Sequence, residues 1–260
     1  MKRLWGVVLS LMVAGCANNP ADDSSIHQPV AQQEAVGDAR QRAKVHTELG
    51  MLYLRDGRSN VALDEARIAI DADSSYPLAY NLLGLVRMVL KEDRAAEENF
   101  ERAYRLAPGD PEINVNYGWF LCQTGREQRS IPYFEMASKS SLFAQPTKPL
   151  TNAGICSLQM KDDKGAEDFL LRALRADPAN ADARYFLADI ALRAGRHSEA
   201  RLHLNELHRL MEPTADSAWL GLRIERKLGD REAEARFATL LRRRFAGTPS
   251  HQKFMQGQYE

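Results

Sequence analysis

Three regimes of hydrophobic and polar patterning divide the chain. Leu4 to Val13 is an apolar run with Ser10 as its one polar residue, preceded by Lys2 and Arg3. Residues 17–37, "ANNPADDSSIHQPVAQQEAVG", are poor in large apolar side chains and rich in Pro, Asp, Ser, Asn and Gln. Such a stretch buries too little surface to offset the entropy of ordering it. Beyond it, a large residue followed by a small one recurs at a fixed interval: Leu49 with Gly50, Leu83 with Gly84, Tyr117 with Gly118, each step 34 residues. A period of that length marks one supersecondary unit repeated along the chain, each copy completing its core against the next.

Within the units the small residues sit where two antiparallel helices must approach closely, and the large ones where the gaps beside them need filling. Residues 77–110 supply Leu83, Gly84, Ala96, Phe100, Ala103 and Pro108 at unit positions 7, 8, 20, 24, 27 and 32. That pattern resembles the tetratricopeptide repeat. Residues 43–76, 111–144 and, after a two-residue insertion in "FAQPTKP", 147–180 keep most landmarks, with Ser130 and Leu142 departing; 181–213 and 214–247 are less faithful. Gly57, Gly125 and Gly195 fall at position 15, a turn that can use a left-handed backbone. The expected fold is all-α: a right-handed superhelical solenoid of about six tetratricopeptide repeats, hence about twelve antiparallel helices, over residues 38–247, with 248–260 as a C-terminal cap or tail.

The apolar run is too short to cross a bilayer core of about 30 Å as a mature helix and reads as a signal peptide, residues 1–15. Val13, Ala14, Gly15 and Cys16 resemble the bacterial lipobox. That resemblance implies cleavage before Cys16 and lipidation of the cysteine, the only covalent group expected, with no cofactor. With about 0.8 kcal/mol per buried methylene, the three acyl chains so implied would hold the protein on a membrane. Residues 16–37 then become the lipidated cysteine and a flexible tether reaching roughly 25 Å. Ala17, where an Asp would imply retention in the inner membrane, implies delivery by the lipoprotein sorting machinery to the outer membrane and display on its periplasmic face. An ordinary secretory signal with an accidental cysteine is the competing reading.

Basic and acidic residues balance at 35 each, and removing Lys2 and Arg3 leaves a slightly acidic mature chain, so no nucleic-acid partner is expected. Cys122 and Cys156 are too few for a disulfide framework and read as buried small hydrophobes, a disulfide between them being the less favoured alternative. No phosphate-cradling loop, zinc-protease pattern or nucleophile elbow occurs, so the chain is not expected to be an enzyme. His197, His203 and His208 lack the spacing of three or four that stacks two imidazoles on one helix face, so no metal site is expected. "DADSS" from Asp71 has Tyr76 where a calcium loop needs Gly and reads as an inter-repeat turn; Arg242, Arg243 and Arg244, with Arg236 nearby, read as a solvated helix face, contact with anionic lipid headgroups or a partner being the alternative.

Repeats of this type bind through the inner face of each unit's first helix. The corresponding positions supply Met51, Leu54, Leu78, Asn81, Leu85, Met88, Val89, Val115 and Trp119 as the expected partner-binding groove, continued by Cys122, Gln123, Ile155 and Leu158. A contiguous Met, Leu, Val and Trp patch there suits a peptide or protein segment. The opposing reading is that superhelical twist buries several of them. Met51 and Leu85 stand where carboxylate-clamp repeats carry polar groups, so a basic clamp for a C-terminal carboxylate is disfavoured.

Lipobox and repeats together resemble the PilF/PilW-type type IV pilus biogenesis lipoproteins, most specifically at "VNYGWFL" (115–121), "NAGICSLQM" (152–160) and "LGLRIERKLGDREAEARF" (220–237). Asn116, Tyr117, Gly118, Phe120 and Leu121 match the family's third repeat, while Val115 and Trp119 depart and add bulk to the inner surface. This resemblance implies a pilotin: a monomer that binds the pilus secretin, PilQ-like, carries it to the outer membrane through its lipid and promotes its multimerisation. A generic envelope scaffold lipoprotein for another periplasmic complex is the alternative.

Overall fold

The computed structural model describes residues 29–141 and 143–259. The expected signal peptide and the lipidation position Cys16 lie outside them. The described residues are helical throughout, without a strand, as the repeat pattern predicts. A short 3₁₀ turn, Val30–Gln32, precedes α1 (Asp38–Arg55), α2 (Ser59–Ala72), α3 (Pro77–Val89), α4 (Asp93–Leu106), α5 (Pro111–Gln123), α6 (Glu127–Ser138) and α7 (Lys148–Gln159). There follow α8 (Asp163–Ala176), α9 (Ala181–Arg193), α10 (His197–Leu210), α11 (Ala215–Leu228), α12 (Arg231–Arg244) and a short α13 (Pro249–Met255).

Local chemistry explains the boundaries. Pro77, Pro111 and Pro249 open their helices at positions whose amide has no intrahelical partner. Asp110, Asp162, Asn180, Thr214, Asp230 and Thr248 cap theirs by accepting from a backbone N–H of the first turn. Gly57, Gly125 and Gly195 turn between paired helices with φ of +75°. At the equivalent turns of the second and fourth units Lys91 and Lys161 take the same left-handed conformation, φ 62° and 60°. Pro132 lies inside α6, which ends early and is followed by an irregular link to α7.

Each helix packs on its chain neighbour, and the odd-numbered helices α1, α3, α5, α7, α9 and α11 also touch one another in succession. Among the described residues no two even-numbered helices pack to a comparable extent. The odd layer is therefore the tighter, inner side of the curve. Ala62, Ala96, Ala166 and Ala200 at position 20 are wholly buried, and Phe100, Phe134 and Leu170 at position 24 fill the space against Gly84, Gly118 and Gly154. Ser130, which departs from Ala at position 20, is equally buried, and its hydroxyl donates to the Glu127 carbonyl at 2.6 Å. Small volume is what the site selects, and the polar atom is satisfied locally. Across unit boundaries Arg126 pairs with Glu97, and Arg196 holds Glu167 through two bonds of 2.8 and 3.0 Å.

Two features depart from expectation. Cys122 and Cys156 are joined in a disulfide between α5 and α7, Cα atoms 5.9 Å apart, rather than lying as separate buried thiols. Both sit on inner-layer helices that run side by side, so a separation of 34 residues along the chain becomes a lateral contact. The stretch read as tether is also not free throughout. Pro29 is buried, Val30 packs against the cluster holding Ala43, Tyr76, Leu78 and Ile113, and its N–H donates to Asp110 Oδ2 at 2.7 Å. Asp110 uses its other oxygen, Oδ1, to cap α5 through the Ile113 N–H at 3.0 Å, which leaves Oδ2 available for the incoming chain.

Candidate binding cleft

A cleft of about 540 Å³ opens on the inner layer between α1, α3 and α5. Its floor is apolar because consecutive inner helices each contribute one apolar side chain, Met51 from α1, Leu78 from α3 and Val115 from α5. Val115 and Leu78 are nearly covered, 1% and 6% exposed, and Met51 is half-buried. Asn81, 1% exposed, accepts at Oδ1 from Asn116 Nδ2 at 3.3 Å, which fixes two amides beside the apolar floor. The wall facing the C-terminal units is the link after α6: Phe143, Ala144, Gln145 and the start of α7 at Lys148.

The other expected groove residues go elsewhere. Leu54 packs on Ala62, Ala66 and Leu82; Leu85 and Met88 pack against the Phe100 and Phe120 cluster; Trp119 and Leu158 pack against the cluster containing Phe134 and Leu170. Superhelical twist turns these positions into the seams between units. Val89 is 56% exposed and is not part of the cleft lining.

Leu52, 50% exposed at the cleft mouth, Phe143 and Lys148 were not foreseen. The signal that could have found the last two is the break in period around residues 144–147, where an insertion must bulge from one face. Charged groups ring the mouth: Glu48, Arg55, Glu112 and Lys148. Burial, reinforced by the Asp110 carboxylate, pushes the Glu112 carboxyl above the usual glutamate range, while Lys148 opposes the shift. Tyr76, at the cleft edge, is pushed up to about 12 chiefly by burial. The arrangement offers an apolar floor, fixed amides and a mixed-charge rim, which is chemistry for holding a polypeptide segment.

A second cleft of about 660 Å³ lies farther along the same layer, between α7, α9 and α11 and beside α13. It is polar: Arg193 pairs with Asp163 and, at 3.0 Å, with Asp189, which also meets Arg223 at 3.6 Å. Among the described residues no cluster of His, Cys, Asp and Glu could hold a metal ion, and no helix is long and apolar enough to cross a membrane.

Tetratricopeptide-repeat family models match residues 47–111, 94–141 and 154–223. The type IV pilus assembly protein PilF of Pseudomonas aeruginosa is 24% identical over 247 residues, 95% of this chain and 95% of that protein. The crystal structure of PilW, a widely conserved type IV pilus biogenesis factor, is 29% identical and superposes with a TM-score of 0.76 over 83% of this chain and 99% of that one. The structure of Pseudomonas aeruginosa PilF, 24% identical, superposes with a TM-score of 0.77 over 85% and 100%. Stacked helix pairs at the repeat period, matched by repeat models on both halves, place the chain in the tetratricopeptide-repeat family, homologous over most of its length to the PilF and PilW pilus biogenesis proteins.

Proposed function

We propose that this protein is an outer-membrane pilotin of the type IV pilus system: lipidated at Cys16, sorted to the outer membrane, displayed as a monomer on its periplasmic face, and binding the pilus secretin to promote its localisation and multimerisation. The observation that carries the reading is the apolar cleft floored by Met51, Leu78 and Val115 in a chain homologous to PilF and PilW along most of its length. Homology supplies the pilus system, the cleft supplies a place for a polypeptide segment, and the lipobox resemblance at 13–16 supplies the address. Tethering the grip to a lipid makes membrane delivery of the secretin a consequence of binding.

Met51→Asp with Leu52→Asp is the informative variant, because both side chains line the cleft; Met51 also packs on the Ala62 and Leu82 cluster, so Leu52→Asp alone, at a half-exposed position, is the second variant. Envelope pull-down with the wild-type protein is expected to recover the secretin, and with the folded double variant to lose it. Recovery of a different envelope complex in place of the secretin would transfer the protein to the scaffold reading. Cys16→Ala is expected to leave the solenoid folded but to displace both protein and secretin multimers from the outer membrane; normal multimers there would refute the delivery mechanism.

A further inference from the structure

The chain's final turn carries a feature that the pilotin reading does not use. Gly257, at φ +68°, ends α13; its N–H donates to the Phe254 carbonyl at 3.1 Å, and the Gln258 N–H donates to the Lys253 carbonyl at 3.0 Å. This turn sends the chain back toward α11. Met255 to Gln258 are exposed, yet Tyr259 is half-buried. Its ring centroid lies 5.5 Å from that of Trp219 and 3.9 Å from the Arg226 guanidinium carbon, and its carbonyl accepts from Arg223 Nε at 3.3 Å. A single tail residue thus engages the inner-layer helix α11 through an aromatic contact, a cation over its ring face and a main-chain hydrogen bond. These are the contacts by which a surface recognises an extended peptide with one aromatic anchor.

The adjoining cleft has room for more than this one residue. Trp219 and Arg223 line it together with Tyr185, Lys161 and Lys253. Among the described residues the cleft lining carries four cations, Lys161, Arg193, Arg223 and Lys253, against three carboxylates, Asp163, Asp189 and Asp216; Arg193 and Arg223 are paired, while Lys161 and Lys253 form no ion pair. That described lining is positive by one charge beside the aromatic seat.

We propose that the α11 surface formed by Trp219, Arg223 and Arg226 is a second peptide-recognition site, for a partner segment bearing an aromatic residue beside a carboxylate, and that Tyr259 occupies it as a tethered competitor. A partner enters by displacing the tail. A strap closed in roughly nine molecules of ten weakens the apparent affinity for an outside peptide about tenfold. This site is separate from the cleft floored by Met51, so loss of secretin capture at that cleft would not bear on it.

The test uses the mature chain and a synthetic peptide of its own residues 253–260 (KFMQGQYE), followed through the Trp219 indole N–H resonance, assigned with Trp219→Phe. Tyr259→Ala is expected to shift that resonance and to bind the peptide about tenfold more tightly than wild type. Adding Arg226→Ala, at a position 43% exposed where the guanidinium also pairs with Glu234 at 3.2 Å, is expected to reverse the gain, and a peptide with Ala in place of its Tyr is expected to bind neither protein. Equal affinity of wild type and Tyr259→Ala, or no binding to the opened variant, would overturn the proposal. A lowered unfolding midpoint in Tyr259→Ala with no gain in peptide binding would reduce the tail to a structural cap and overturn it as well.

Discussion

Cys122 on α5 and Cys156 on α7 are covalently joined across the interface between the third and fourth units, Cα atoms 5.9 Å apart and 34 residues apart in sequence. The bond lies where the irregular link after α6 interrupts the repeat period, so it fastens the solenoid at its least regular junction. A cross-link closing a loop of this length restricts the unfolded chain by about 3–4 kcal/mol in the loop-entropy description. Cys122→Ala with Cys156→Ala is therefore expected to lower unfolding stability by about that amount, measured by urea denaturation against the oxidised wild type. Reduction of the wild type should give a similar shift; an unchanged midpoint in both would show that the bond contributes nothing.

Gly84 faces Phe100 so closely that a β-carbon on it would lie 2.9 Å from two ring atoms, and Phe100 is completely buried. The ring cannot retreat without disturbing Tyr117 and Phe120, whose centroids lie 5.9 and 5.3 Å away. Gly84→Ala is expected to destabilise the protein by about 1–3 kcal/mol through overpacking, despite the better helix propensity of Ala. Gly109→Ala, where an added β-carbon meets nothing within 4 Å, is the control and should be close to neutral.

Lys91 and Lys161 hold left-handed backbone at turns where the four sibling units use Gly, at 57, 125, 195 and 229. That conformation costs a side-chain-bearing residue roughly 1–2 kcal/mol, and Gly returns about 0.5–1 kcal/mol of this through its larger unfolded-state entropy. Lys91→Gly and Lys161→Gly should each raise stability by up to about 1 kcal/mol, read from denaturation midpoints. A loss of stability in both would show that the lysine side chains hold these turns by contacts that outweigh the backbone term.

Glu112 keeps its proton to higher pH in the folded protein than in the unfolded chain, because burial and Asp110 disfavour its charge. Its contribution to stability is thus fully present below the ordinary glutamate range and is lost as pH rises through the elevated folded value. Glu112→Gln should be more stable than wild type at pH 7, and the difference should vanish near pH 4. Urea titrations at the two pH values check this; an equal difference at both would exclude ionisation of Glu112 as the cause.

Where the folded chain's architecture was legible, volume did the writing. Gly84 with Phe100, Gly118 with Phe134 and Gly154 with Leu170 recur sixteen residues apart, because a close helix crossing needs one small and one large partner at the same place in every unit. The glycine turns at 57, 125 and 195 were legible for the same local reason, while Lys91 and Lys161 were not, since neighbouring packing imposes a conformation their side chains disfavour. Of the groove residues, Met51, Leu78, Asn81 and Val115 converge on one cleft, and Leu54, Leu85, Met88 and Trp119 are consumed by the seams.

Periodicity within the sequence alone determined the helical hairpin, its length, its small and large contact positions and the side of each unit that faces inward, because all of these are set by contacts inside one unit and with its nearest neighbours. Tertiary structure alone decided what depends on the path of the whole stack. It brought Cys122 beside Cys156, Val30 onto Asp110, Phe143 into the cleft wall and Tyr259 onto Trp219. Each of these joins segments whose relative position follows from the accumulated rotation of successive units and the one irregular link, quantities that no local pattern of residues encodes.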